Sequence, residues 1–240
     1  MRPTVFLFDI DGTLILTGGV GRRSMAGAFS TTHGPRGATA LDFPFAGMTD
    51  RAIVRTGLRA VGIEAPDAAA IDRVLDAYLV RLASDMLNAA GYRVMPGVMA
   101  VLSWLAGLER VAIGLGTGTV KKGAYTKLAR GELDGSFAFG GFGCDAEDRT
   151  ELLRVGATRG ASALGVRLED CRVVVIGDTP KDVAAALGIG AECIGVGTGG
   201  FEPKVLLDLG AHGAFATLED GGVRAALLDD QGIGARASGA

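Results

Sequence analysis

A chain of 240 residues is long enough for one sizeable α/β domain, or for a core domain carrying a smaller insertion. Apolar residues make up 48% and charged residues 21%, the usage of a chain that folds on its own and not of a disordered one. The formal net charge is −3, with no basic block beyond Arg22-Arg23 and Lys121-Lys122, which excludes a broad nucleic-acid footprint but leaves room for a small basic pocket.

In chain order, a short apolar run predicts a buried strand at 4–8. Helices follow at 20–32, 49–61 and 67–88, the last with Ile71, Val74, Leu75, Tyr78, Leu79, Leu82 and Met86 at helical spacing. A further helix at 98–108 starts after Pro96-Gly97, and strands at 111–115, 136–139, 173–176 and 192–196 then alternate with helices at 120–130, 150–164 and 181–187. Strand, helix, strand in repetition predicts a doubly wound parallel α/β sheet with right-handed crossovers. A βαβ unit takes about 30 residues, and the gap between the first two strands is far longer. It therefore holds an insertion, a small α-helical cap at 16–90 on a core of 1–15 and 91–240. Gly18, Gly19, Gly21 and Gly91 at its borders suit hinges, the plainer alternative being a connecting loop with helix-starting turns. The tail at 231–240 is small and polar, as frayed ends are.

The apolar run at the N-terminus is broken by Asp9 too early for a signal peptide, and no stretch is long enough to span a bilayer. Cys144, Cys171 and Cys193 are odd in number and too dispersed for a disulfide framework or a zinc site, so each is expected to be a small buried hydrophobe. These features predict a cytoplasmic, reduced protein, monomeric or a small homo-oligomer, without membrane or nucleic-acid partners.

Chemistry concentrates at strand exits. Asp9-Ile10-Asp11-Gly12-Thr13 follows the first strand, where open α/β sheets bind ligands. Two close carboxylates repel, and a shared proton or a cation relieves that repulsion; a hard divalent ion with oxygen ligands fits. A lone aspartate there reads as a turn former or helix cap, but two after a buried strand do not. Asp178 leaves a later strand in Gly177-Asp178-Thr179-Pro180-Lys181-Asp182, and strand adjacency would bring it to Asp9. Asp182 fits equally as metal support and as the third residue of a helix capped by Thr179. In Gly116-Thr117-Gly118-Thr119 the backbone N–H groups and a hydroxyl offer an anion site. There Thr119 reads as the helix N-cap and Thr117 as the phosphate donor.

In that order, DIDGT, a strand ending in Thr117, and GDTPKD resemble the haloacid dehalogenase superfamily, particularly its phosphatases with a small helical cap, such as phosphoglycolate phosphatases. The resemblance covers nearly the whole chain; the outer motifs are specific, the middle one is not. It implies that Asp9 attacks phosphorus to form an aspartyl-phosphate. It makes Asp11 the acid that protonates the leaving oxygen and the base that then activates water, and has Mg²⁺ held by Asp9, the backbone carbonyl of Asp11 and Asp178, with Asp182 in support. Gly118 and Thr119 would help bind the phosphate of a small phosphorylated metabolite.

The family also expects a lysine after the third strand, where this chain has none; Arg149 reads as the substitute, with Lys121 or Lys122 competing. Thr119 stands where relatives often have Asn. Arg22 and Arg23 open the first cap helix, and Arg22 is a candidate reader of the substrate's far end; solvated surface basics are the plain alternative. Thr49, Asp50 and Arg51 read as a helix start, Trp104 as core, and His33 and His212 belong to no triad or zinc motif. Hydrolysis of a small phosphate monoester leads. Carbon–halogen hydrolysis is opposed by Asp11, sugar phosphomutation shares the acidic centre, and a catalytically idle phospho-ligand sensor draws its support from the missing lysine.

Overall fold

The computed structural model describes residues 2–228, so the tail expected to fray at 231–240 lies outside the described residues. Strand β1 (Thr4–Phe8) is buried throughout. Its side chains alternate between two cores, Phe6 and Phe8 into one and Val5 and Leu7 into the other. A near-continuous apolar strand of this kind belongs inside a parallel sheet covered on both faces.

The chain leaves β1 on β2 (Ile15–Thr17) and runs through α1 (Val20–His33), α2 (Asp50–Ala60) and α3 (Ala68–Leu87). It returns on β3 (Tyr92–Val94), antiparallel to β2, with Ile15 opposite Val94 and Thr17 opposite Tyr92. The three helices bury an apolar cluster of their own around Phe29, Val54, Leu58, Ile71, Tyr78 and Leu82. Then come α4 (Val98–Ala106), β4 (Val111–Thr117), α5 (Lys121–Ala129), β5 (Gly140–Phe142), α6 (Arg149–Ala163) and β6 (Arg172–Gly177). The described chain closes with α7 (Pro180–Gly188), β7 (Glu192–Val196), α8 (Pro203–Asp208), β8 (Gly213–Phe215) and α9 (Val223–Leu228).

Six strands form one parallel sheet in the order β5-β4-β1-β6-β7-β8, with Phe8 in register with Leu115 on one side and Ile176 on the other. Helices cover both faces, so the fold is the doubly wound α/β sheet that the sequence predicts. The carboxyl end of β1 is central, flanked directly by those of β4 and β6.

The strand expected at 136–139 lies elsewhere. Asp134–Ser136 forms a single 3-10 turn, and the edge strand is β5, pairing Leu115 with Gly140 and Thr117 with Phe142. Phe137 turns inward instead, its ring 6.2 Å from that of Phe8. Close packing decides the edge: a Cβ on Gly141 would lie 1.8 Å from the carbonyl oxygen of Leu152 on α6. Closeness of helix and strand outweighs β-propensity here.

Candidate active site

At the carboxyl end of the sheet a cavity of about 280 Å³ opens between the strand exits and helices α1 to α3. Its floor includes Asp9, Asp11, Thr117, Gly118, Thr119, Arg149 and Asp178; its roof includes Arg22, Met25, Phe45, Met48, Asp50, Ile53 and Tyr78.

Asp9, Asp178 and Asp182 are buried, and each offers a carboxylate oxygen within 4.8 Å of the others. Arg149, first residue of α6, is the cation set among them: its Nη2 lies 3.1 Å from Oδ2 of Asp9 and also pairs with Oδ1 of Asp182. Burial works against the guanidinium charge, but Asp182 and then Asp9 hold it above the ordinary arginine value. Burial pushes Asp9 up to about 6, with Arg149 opposing and Asp182 reinforcing the rise. Burial, then the charges of Asp182 and Asp9, push Asp178 well above the usual carboxylate range. Thr13 Oγ1 donates to Oδ1 of Asp178 at 2.8 Å. Gly12 (φ 91°) and Gly199 leave the space that the Asp178 carboxylate fills, since a Cβ on either would lie within 2.4 Å of its Oδ2. An all-oxygen donor set with one guanidinium facing three buried carboxylates is deficient in positive charge and fits a hard divalent cation.

Asp182 has both oxygens committed. Oδ2 accepts from the backbone N–H of Thr179 at 3.0 Å and from its hydroxyl at 2.7 Å, the return half of a capping box that starts α7, while Oδ1 takes Arg149. Capping and the arginine contact account for its place, and one of its oxygens also lies within 4.8 Å of those of Asp9 and Asp178.

Asp11 points away from that cluster. Its Oδ2 lies 2.5 Å from Nζ of Lys127, which also donates to Thr119 Oγ1 at 3.1 Å. Burial opposes the Lys127 charge, but Asp11, then Tyr78 and Asp50, hold it above the ordinary lysine value. Thr117, at the end of β4, accepts from the Thr119 N–H at 3.2 Å through Oγ1, which leaves its own hydroxyl hydrogen available to the cavity. Thr119 is not the N-cap expected of it. Val120 takes that position, and the carboxylate of Asp50 reaches over from α2 to accept from the Val120 N–H at 2.9 Å. Thr119 has turned its hydroxyl to Lys127 instead.

The helical layer docks on this loop. The Asp50 N–H donates to the Gly118 carbonyl at 2.8 Å, Thr49 Oγ1 to the Glu147 carbonyl at 3.1 Å, and Arg55 Nε to the Glu147 carboxylate at 2.9 Å. Thr49 also caps α2, as its position suggests. Arg22 lines the cavity but gives its guanidinium to the carbonyls of Leu41 and Phe43 and stacks 4.3 Å over the Phe45 ring. Lys121 and Lys122 are exposed on α5 and do not line the cavity. Neither do His33, which bonds Thr32 through Nδ1, or His212, which accepts from the Cys193 N–H. Cys171 and Cys193 are buried, whereas Cys144 is exposed, contrary to expectation, in the turn after β5.

Sequence reasoning overlooks Lys127, and sees Asp50 only as part of a helix start. The signal for Lys127 is its register: it falls with Gly123, Ala124 and Leu128 on the buried stripe of α5, where a lysine needs a partner. Asp50 carries no such mark, because its use as a cap for another helix depends on tertiary contact.

A parallel sheet covered by helices, with carboxylates at adjacent strand exits under a helical roof, defines a doubly wound α/β protein with an acidic site at the carboxyl end of its sheet. The chain belongs to the haloacid dehalogenase-like hydrolases, whose family model matches residues 3–190. Comparison with curated proteins finds no match. Among solved structures it is similar to a hydrolase from Pseudomonas syringae (21% identity, TM-score 0.67, covering 90% of this chain and 95% of that one). It is also similar to CbbY from Rhodobacter sphaeroides in complex with phosphate (19%, 0.68, 95% and 99%). A third similar structure is a predicted phosphoglycolate phosphatase from Haemophilus somnus (14%, 0.66, 91% and 95%). At these identities the likeness is one of fold. Among the described residues no helix is long and apolar enough to cross a membrane.

Proposed function

We propose that the protein is a Mg²⁺-dependent phosphatase that hydrolyses a small phosphate monoester, phosphoglycolate or a similar compact metabolite, through an aspartyl-phosphate on Asp9. The observation that carries this reading is the convergence on one cavity of a buried Asp9 held by Arg149, a second aspartate free of that cluster at Asp11, and Thr117 with a hydroxyl to donate. Phosphate in the similar CbbY structure is in keeping with it.

An Asp9 oxygen bonds to phosphorus as the bond to the alcohol breaks, and the departing oxygen takes a proton from Asp11. Water then bonds to phosphorus, returns a proton to Asp11, and phosphate leaves Asp9 as a carboxylate. Arg149 and Thr117 face the charge on the phosphoryl oxygens, and among the described residues Arg149 Nε is buried without a hydrogen-bond partner, a donor left over beside the acidic centre. Asp9, Asp178 and the Asp11 carbonyl would hold Mg²⁺, which when bound neutralises charge on the transferring group. Segment 16–90 acts as a cap whose apolar roof, Met25, Phe45, Met48 and Ile53, closes over a compact leaving group and excludes water. Asp11 speaks against dehalogenation, which needs no proton donor of this kind.

The test is phosphate release from a panel of monoesters, phosphoglycolate and sugar phosphates included, with Mg²⁺ and with EDTA. Metal-dependent release that Asp9→Asn abolishes while the variant stays folded supports the reading. Undiminished turnover in Asp9→Asn refutes the nucleophile.

A further inference from the structure

We propose that Lys127 is a positioning residue for the acid–base carboxylate: gripping one oxygen of Asp11, it aims the other at the oxygen of the departing alcohol. The proposal rests on the phosphatase reading and deepens it, since that reading leaves Asp11 to place itself.

Lysine is almost never fully buried unless paired, and Lys127 is only 4% exposed. Its helical neighbours on the same stripe, Ala124 and Leu128, show what a purely packing position accepts. A buried ammonium loses its hydration, so its retention needs a partner that compensates. That partner is the Asp11 side chain, which is 44% exposed and so is not fixed by packing. Among the described residues Asp11 Oδ2 has two contacts, Lys127 Nζ at 2.5 Å and the Thr119 hydroxyl at 3.5 Å. Lys127 is itself steadied by Thr119 Oγ1 at 3.1 Å. Oδ1 of Asp11 carries no bond to a described side chain, and it belongs to a residue lining the cavity. One oxygen anchored and one free orients the carboxyl so that its free oxygen can reach a substrate oxygen. Lys127 keeps its own protons throughout; the proton that reaches the alcohol is that of Asp11, which water later replaces.

Acting through Asp11, Lys127 bears on phosphorylation of Asp9 only where the leaving oxygen needs a proton, and on the later attack of water whichever ester is used. The experiment compares kcat/KM, with Mg²⁺, for the best alkyl phosphate of the panel and for p-nitrophenyl phosphate, whose phenolate departs unprotonated. This ratio covers events only as far as phosphorylation of Asp9. Lys127→Met should lower it roughly a hundredfold for the alkyl ester, within the range of general acid catalysis, and by less than about threefold for the aryl ester. Asp11→Asn should show the same selectivity, and Lys127→Met added to it should cost nothing more. Lys127→Arg, which keeps the charge but moves the donor, should give the same selective loss and replaces the methionine variant if that fails to fold. Equal loss on both esters, or no loss on either, overturns the positioning role while leaving the phosphatase reading intact. No release from any ester by the unchanged protein overturns both.

Discussion

Asp182 joins the first turn of α7 to Arg149, and through Arg149 to Asp9, so one carboxylate serves a helix start and the neighbour of the proposed nucleophile. Replacing it by alanine removes the capping box and leaves a buried guanidinium short of a partner. Breaking a buried ion pair from one side costs about 3–5 kcal/mol. Urea unfolding of Asp182→Ala should show a loss of that size and Asp182→Asn a smaller one, because the amide oxygen still accepts from Thr179. Indistinguishable midpoints for all three would refute the link. At this scale the sequence is legible where candidate residues sit at strand exits: Asp9, Asp11, Thr117 and Asp178 can be placed because adjacent parallel strands end together. Arg149 is legible as the cation near that point. Lys127 is harder to see, since a lysine in a helix reads as solvated until its register is set against the buried stripe.

Between elements, the informative contact is Asp50, which sits on α2 and caps α5. Burial pushes its carboxyl up to about 6 from an ordinary 3.8, with Lys127 and the Val120 N–H opposing. Between those two values the folded protein keeps a proton that the unfolded chain has released. The stability it contributes is therefore full below about pH 4 and falls as pH rises to 6, by at most roughly 3 kcal/mol. Asp50→Asn keeps an acceptor for Val120 but cannot titrate. The difference in unfolding free energy between wild type and variant should shift over that interval in favour of the variant as pH rises, and a flat difference would contradict the assignment. Elements with a clear period were legible to within a residue or two at most ends, α1, α3 and α6 among them. The three-residue strands β2, β3 and β8 were not, because so short a run has no period to detect. The edge strand β5 was displaced because close packing against α6 demands glycine where propensity favours phenylalanine.

Across the whole molecule, the acidic centre is assembled from chain segments far apart in sequence, Asp9 after β1 and Asp178 after β6, so its charge acts on the fold as a unit. Without a cation, two buried carboxylates with raised pKa values oppose folding at neutral pH. A ligand that binds only the folded state at a hundred times its Kd adds about 2.7 kcal/mol. For a chain of this size that corresponds to a rise in Tm of roughly 5–10 °C. Mg²⁺ should therefore raise Tm by several degrees and EDTA should reverse it. Asp178→Asn separates the two contributions. It should melt higher than wild type in EDTA, because one buried charge is gone while Thr13 keeps an acceptor, and it should lose the Mg²⁺-dependent rise. If the variant is instead less stable in EDTA, Asp178 is held chiefly by structural hydrogen bonds; if it still responds fully to Mg²⁺, the cation sits elsewhere. A crossing of the two melting curves is the outcome expected of a centre whose charge opposes folding until the cation is bound.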